Sequence, residues 1–426
     1  MDQMALCISI FIIVYVIIVS EKIHRTVIAL AGSVILLATG ILKQSQALEH
    51  VDFNTLGLLI GMMIIVNITG KTGLFNYMAI YAAKKVNAQP VKIFFVLSCL
   101  TMLSSAILDN VTTVLLIVPV IFSLTSQLQI DVKPFLVAQI LAANIGGAST
   151  LIGDPPNIMI GSAVGFDFMD FIFNVAPISM VIFIVNMTIL FVLYHKKLHT
   201  TEELQTRVMQ LNEKKEIIDP VLLKKCLFCL GLTIILFMTH SILHLETATA
   251  ALLGASIMLL LTFYDDEETL TEVFSQLEWL TIFFFVGLFI LVGGLIETGV
   301  IKVMAQKAVA LTHGELKETA LLILWFSAIA SAFIDNIPFV ATLLPLIQEM
   351  GELGMKNLDP VYWALSLGAC IGGCGTLVGS SANVVVASMA AQRGKNISFM
   401  EYLYIAFPLM IIYITISHFY ILYLYF

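Results

Sequence analysis

Residues 52 to 161 of this chain recur without a gap 226 positions later, and each copy carries an Asp-Asn pair inside apolar sequence: Asp109-Asn110 is answered by Asp335-Asn336. The same shift lays Gly61 on Gly287, Thr72-Gly73 on Thr298-Gly299, Pro119 on Pro345, Gly146-Gly147 on Gly372-Gly373, Thr150 on Thr376, Gly153 on Gly379 and Asn157 on Asn383. Few folds can bury one polar motif twice in apolar surroundings. Duplicated motifs of this kind are what secondary transporters are built from.

The surroundings are apolar enough to name the solvent. With 59% hydrophobic and 12% charged residues and a mean hydropathy of +1.00, the chain has too little polar surface for a water-soluble protein and reads as a polytopic membrane protein. Its formal charge of -8 sits in loops and gives no sign of nucleic-acid binding. Cys7, Cys99, Cys226, Cys229, Cys370 and Cys374 lie in or beside apolar stretches without the paired spacing of a disulfide framework, and read as small core residues. The first apolar run has no basic leader and no small-residue cleavage site, so it reads as a retained span.

Apolar runs, charged at most at their first residues, that are long enough to cross a hydrocarbon core of about 30 Å lie at about residues 4 to 20, 26 to 42, 53 to 70, 134 to 153, 171 to 194, 223 to 243, 247 to 264, 278 to 296, 361 to 379 and 402 to 426. This predicts ten crossings in an all-α fold. Residues 93 to 108 and 319 to 334 are short for a crossing, and 337 to 348, about a dozen residues, would reach only about 18 Å as a helix. They are predicted to form two re-entrant hairpins that turn at Asp-Asn, which is tolerated only where the turn is buried in protein or faces a wet cavity. The domains follow: N-terminal spans over 1–50, a first repeat over 51–194, a cytoplasmic linker over 195–222 with a short amphipathic helix, connecting spans over 223–264, and a second repeat over 265–426.

Lys and Arg set the orientation. With both termini outside, sixteen of the 21 basic residues fall inside, including Lys22, Arg25, Lys71, Lys84, Lys133 and the stretch from 196 to 225; Lys43, Lys302, Lys307, Lys317 and Lys356 stay outside. Five crossings separate the starts of the two copies. An odd number makes the repeat an inverted one.

The chemistry is expected where each hairpin turn faces a glycine-rich interruption of the following span. These segments read Asn144-Ile-Gly-Gly-Ala-Ser-Thr-Leu-Ile-Gly-Asp-Pro-Pro-Asn157 and Cys370-Ile-Gly-Gly-Cys-Gly-Thr-Leu-Val-Gly-Ser-Ser-Ala-Asn383. Paired glycines cost a helix about 1 kcal/mol each, and Pro155-Pro156 can only begin a helix, so both spans are predicted to break in mid-membrane with Asp154 as N-cap of the second half. Open amides and carbonyls then stand beside Ser149, Thr150, Thr376, Ser380 and Ser381, and can hold anions at half-helix N-termini and cations at carbonyl ends. Asp109 and Asp335 weigh most, because a carboxylate in the bilayer interior costs about 2.5 to 3.5 kcal/mol on insertion scales and must be paired, protonated or ion-bound. The plainer reading is that each caps its own hairpin turn. Thr112, Thr113, Asn110 and Asn336 accompany them as candidate ligands.

Other signals are weaker. His240 and His244 stand at i, i+4 spacing with Glu246 beyond, but at the end of a span, where an interfacial pair is the simpler reading than a metal site. Cys226 and Cys229 read as packing. Cys370 and Cys374 flank the second glycine pair on one helical face; soft sulfur there suits a thiophilic solute, and small-residue packing explains it as well.

The hairpin Asp-Asn-Val-Thr-Thr-Val-Leu-Leu at 109–116, followed by the Gly-Asp-Pro-Pro-Asn run, resembles the ArsB/NhaD permease family of the ion transporter superfamily, in the branch that contains the melanosomal P protein. The resemblance covers essentially the whole chain. It implies a plasma (inner) membrane secondary transporter, commonly a homodimer, with elevator-like movement of hairpins and broken spans, and with Asp109, Asn110, Asn144, Thr150, Asn157, Asp335, Asn336, Thr376 and Asn383 lining the central site. It implies no enzymatic activity and no cofactor beyond a coupling proton or sodium ion.

No basic residue is evident in the expected cavity, which argues against a multiply charged anion. Among the solutes that the resemblance implies, arsenite, or a related small inorganic ion or metalloid, exchanged for protons fits a polar but uncharged lining and is the leading expectation, with an arsenite-stimulated ATPase as an implied partner beside the lipid bilayer. Sodium/proton antiport and an anion or carboxylate transporter or channel are the alternatives. An intramembrane aspartyl protease also needs two embedded aspartates, but neither Asp here stands in a Gly-x-Gly-Asp context and both are followed by Asn in matched turns.

Overall fold

The fold is described from a computed structural model, for residues 3–20, 22–263 and 267–426. Three helices open the chain: α1 (Gln3–Ser20), α2 (Arg25–Ala38) and the short α3 (Gln44–Glu49). The first copy follows as α4 (Phe53–Lys71), α5 (Leu74–Lys85), α6 (Pro90–Ser105), α7 (Asn110–Gln127), α8 (Lys133–Ala148), α9 (Pro155–Val164), α10 (Phe168–Asn174) and α11 (Ala176–Tyr194). The linker holds α12 (Glu202–Met209), and α13 (Pro220–Leu243), α14 (Thr247–Phe263) and α15 (Glu267–Ser275) lead to the second copy. That copy is α16 (Trp279–Glu297), α17 (Val300–Leu311), α18 (Leu316–Phe333), α19 (Asn336–Glu352), α20 (Asp359–Gly372), α21 (Ser381–Gln392) and α22 (Phe399–Tyr425). The boundary expected at 264 and 265 lies outside the described residues.

The sequence shift survives as geometry. Moved by 226 positions, the bounds of α4 and α5 become those of α16 and α17. The turn between them uses glycine in both copies because the backbone is left-handed there, φ 79° at Gly73 and 75° at Gly299. The two copies run in opposite directions. At one end of α4, Lys71 pairs with Glu272 at 2.9 Å and Asn67 donates to the Gln276 carbonyl, both just before α16 begins; at the other end, His50 meets Glu297, the last residue of α16, at 3.1 Å. A helix from each flank closes the pair: Gly287 of α16 lies against the backbone of Ala29 in α2, and Gly61 of α4 against that of Ala251 in α14.

One face collects the linker. Lys84 at the end of α5 donates to Glu213 and to the Leu211 carbonyl, and the Ile218 N–H donates to the Thr72 carbonyl. Lys133 pairs with Glu401 on the same face. The described chain ends, Gln3 and Phe426, lie on the opposite face, where Tyr425 donates to Asn174.

Eight described helices are by themselves long and apolar enough to cross a membrane, and the set differs from the ten expected runs. It includes α7 and α18, read from sequence as hairpin legs. It omits the runs at 134–153 and 361–379, where α8 and α20 end inside the run, and the run at 26–42, where α2 stops at Ala38 before a left-handed Gly40 with φ 74°; the run at 247–264 is helical over its described length, as α14. The second leg of the second hairpin, expected to be about a dozen residues, is the 17-residue α19, since the helix continues past the apolar run through Glu349. The break in each glycine-rich span also moves. Helix α8 continues through Gly146 and Gly147 to Ala148, and the interruption follows at 149–154; α20 likewise reaches Gly372. The first glycine of each pair serves packing instead: a Cβ on Gly146 would stand 2.2 Å from the Met102 carbonyl oxygen of α6, and one on Gly372 2.5 Å from that of Ala328 in α18.

Candidate functional site

Each hairpin turn leaves helix N–H groups that have no partner one turn earlier, and an aspartate at the N-cap answers them. Asp109 accepts the Thr112 N–H at 2.8 Å and the Thr112 hydroxyl. Asp335 accepts the Ile337 N–H at 3.1 Å, but Pro338 stands where Thr112 stands in the first copy. Its other carboxylate oxygen accepts instead the Ser381 hydroxyl, at 2.9 Å, and the guanidinium of Arg25. The capping geometry is thus present at both turns, and at the second it is shared with a cation.

Behind the turns, the broken helices are tied together by side chains that satisfy their loose carbonyls. Thr150 donates to the Ala106 carbonyl and Thr376 to that of Ala332, the same bond in both copies. Asn157 donates to the Ala148 and Thr150 carbonyls, and Asn383 to those of Gly373 and Thr376. The copies then join across their interface. Asn144 donates to Asn383 at 2.7 Å, and at the matching position the Cys370 thiol donates to Asn157 at 3.4 Å, beside a 2.6 Å bond from Ser366. Ser149 bonds back to the Gly146 carbonyl.

Asp154 occupies the N-cap position of α9 but makes no capping bond there. Pro155 and Pro156 carry no N–H, and the Asn157 N–H is taken by the Asp154 carbonyl, so the carboxylate has no amide to receive. It faces the second hairpin instead, where both oxygens accept Asn336 at 3.2 and 3.3 Å. Asn110, the counterpart of Asn336, donates to Asn144 at 3.4 Å.

These groups meet in a cavity of ≈ 390 Å³ at the linker face. Of the residues singled out in the sequence, Asp109, Asn110, Asp154, Asn336, Ser380 and Ser381 line it, while Asp335 lines an adjoining cavity of ≈ 360 Å³. The others (Thr112, Thr113, Asn144, Ser149, Thr150, Asn157, Cys370, Cys374, Thr376 and Asn383) stand behind the wall as its support. Cys370 and Cys374 are fully buried and line neither cavity; Cys374 presents its carbonyl to Tyr402.

Two residues of the wall were missed. Arg25, counted from sequence as an inner loop charge, lines both cavities, pairs with Asp335 and lies 4.9 Å from the Phe284 ring centroid. The expectation of a cavity without a basic residue is therefore corrected. Arg25 begins α2, one residue before the apolar run, and only the packing of α2 on α16 swings it inward. Glu278 shares the central cavity, and the repeat carried its signal: the 226 shift places it on Asp52. On the opposite face Asp52 accepts Ser162 at 3.0 Å, caps α4 and lines a cavity of ≈ 300 Å³.

His240 and His244 do not act as a pair. His240 bonds the Leu245 carbonyl, and His244 ends α13 in a left-handed conformation, so the helical i, i+4 geometry stops short of it. Among the described residues no group of three His, Cys, Asp or Glu side chains is placed to hold a metal.

Inverted copies, paired hairpins and broken helices around an acid-lined cavity are the architecture of multi-pass membrane transporters. The chain belongs to the citrate transporter family, whose model matches residues 15–368. An uncharacterized transporter of Mycobacterium tuberculosis is 40% identical over 401 residues, covering 93% of this chain and 92% of that protein. The P protein of Homo sapiens is 32% identical over 504 residues; the match takes in 99% of this chain and 60% of the human protein. Among solved structures, the YdaH transporter of Alcanivorax borkumensis superposes with a TM-score of 0.61 at 11% identity, covering 99% of this chain and 98% of that one. MtrF of Neisseria gonorrhoeae gives 0.56, also at 11%, with coverage of 99% and 94%. At that identity the two structures speak for the fold alone.

Proposed function

We propose that the protein is a proton-coupled secondary transporter of a small anionic solute, with Asp109 and Asp154 serving the coupling proton and Arg25 the solute. The observation that carries this reading is a single guanidinium set into a cavity whose acidic lining residues are Asp109, Asp154 and Glu278. Carboxylates crowded in low dielectric favour taking up protons, and one cation among them gives an anion a place to bind. The family's description as citrate transporters supports a carboxylate as that anion. Exchange of arsenite for protons, the expectation from the resemblance, drew on thiols beside the cavity; the burial of Cys370 and Cys374 weakens that support. In this reading the linker face is cytoplasmic, by its excess of Lys and Arg, and both termini face outward from the plasma (inner) membrane. The hairpins and broken helices shift together against α4 and α16 in an elevator-like step, in a protomer that pairs as a homodimer.

Purified protein in liposomes loaded with a pH-sensitive dye, challenged in turn with citrate, arsenite, sodium and lithium, tests the reading against empty liposomes. Proton movement with citrate is the expected result. A response to arsenite alone, or to sodium or lithium alone, reassigns the cavity to metalloid or cation exchange. Asp109→Asn should lower coupled flux at least about tenfold while leaving the melting temperature near wild type, the size expected for losing a positioned proton carrier. Wild-type coupling in that variant rejects Asp109 as the carrier.

A further inference from the structure

The two hairpin aspartates occupy matched positions and yet have different partners. Asp109 keeps its bonds within its own turn, to Thr112. Asp335 reaches out of its turn, to Arg25 of α2 and Ser381 of α21. The repeat offers no equivalents to Asp109. Where the second copy has Ser381 the first has Pro155, and where α2 has Arg25 the matching helix α14 begins with Thr247, which bonds Asn54 instead. The Arg25–Asp335 pair also stands between the two cavities, with the side chains still 25% and 12% exposed. A carboxylate therefore sits on the one guanidinium of the site and is itself within reach of water.

Resting on the reading above, we propose that Asp335 is a built-in stand-in for the anionic solute: it holds Arg25 until the solute's carboxylate displaces it. One carboxylate reaches Arg25 as another leaves it, so the guanidinium is not left without a counter-charge during the exchange. Arg25 and His24 line the same cavity as Asp335, and Asp154 stands on the amide of the next residue, Asn336; a comparison that changes Asp335 alone separates it from them.

The test is the ratio of citrate affinities, Asp335→Asn to wild type, measured by calorimetry on the purified proteins at pH 8. Asp335→Asn should bind citrate about tenfold more tightly, as expected when roughly a tenth of wild-type molecules have Arg25 free. Arg25→Gln should lose citrate binding, and Arg25→Lys should recover part of it. A ratio at or below one, or citrate binding that survives Arg25→Gln, overturns the proposal. Should Asp335→Asn fail to fold, Ser381→Ala loosens the same carboxylate and should shift the ratio in the same direction, by a smaller factor; no shift counts against it. Wild-type protein that moves protons with arsenite or sodium but not citrate overturns the reading of the function instead.

Discussion

At the scale of single residues, the site is an arrangement of satisfied backbone groups with a few carboxylates left over. A broken helix in a membrane exposes carbonyls that no water reaches, and each would cost several kcal/mol if left alone. Asn157 and Asn383 answer that cost with two carbonyls apiece, and each also accepts a bond from the other copy. Asn157→Ala should therefore destabilise the protein by at least about 1–3 kcal/mol, the penalty for one orphaned buried group, and lower its melting temperature in detergent. The Gly-Asp-Pro-Pro-Asn motif pointed to this residue. What it did not tell is that Asn157 is structural support while Asp154, three residues earlier, lines the cavity. The difference comes from Pro155 and Pro156, which deny Asp154 the amides an N-cap would need and leave it to Asn336.

At the scale of elements, the glycines set how near the hairpins come to the broken helices. Gly146 lets α8 approach the backbone of α6, and a Cβ there would meet a carbonyl oxygen, which cannot swing aside as a side-chain tip can. Gly146→Ala should cost about 1–3 kcal/mol through forced separation of the two helices. Gly231→Ala in α13 is the natural contrast, since nothing lies within 4 Å of its added methyl; it should stabilise by up to about 1 kcal/mol through helix propensity. Thermal unfolding of the two variants side by side checks both signs. Read from sequence, the glycine pairs mark a helix break, because in water-exposed helices they weaken the element. Buried between two helices, closeness outweighs propensity, and the break moves to the residues after them.

At the scale of the whole molecule, the antiparallel course of α4 and α16 makes one copy the inverse of the other. Cysteines placed at Lys85 and Lys307, both exposed and on matched helices, should react with an impermeant thiol reagent from opposite sides of sealed vesicles, in a background where the exposed Cys99 is replaced. Labelling of both from one side contradicts the inverted arrangement. The sequence by itself determined the membrane setting, the all-α class, the repeat and the aspartates of the two turns, because hydropathy, periodicity and a constant shift of 226 positions are properties of the chain as a line. Only the tertiary structure decided that Arg25 faces Asp335, that Glu278 shares the central cavity with Arg25 and that the two thiols do not, because these depend on how α2 rests against α16 and α20 against its neighbours. Such contacts join residues some 250 to 310 positions apart, with no periodicity to announce them.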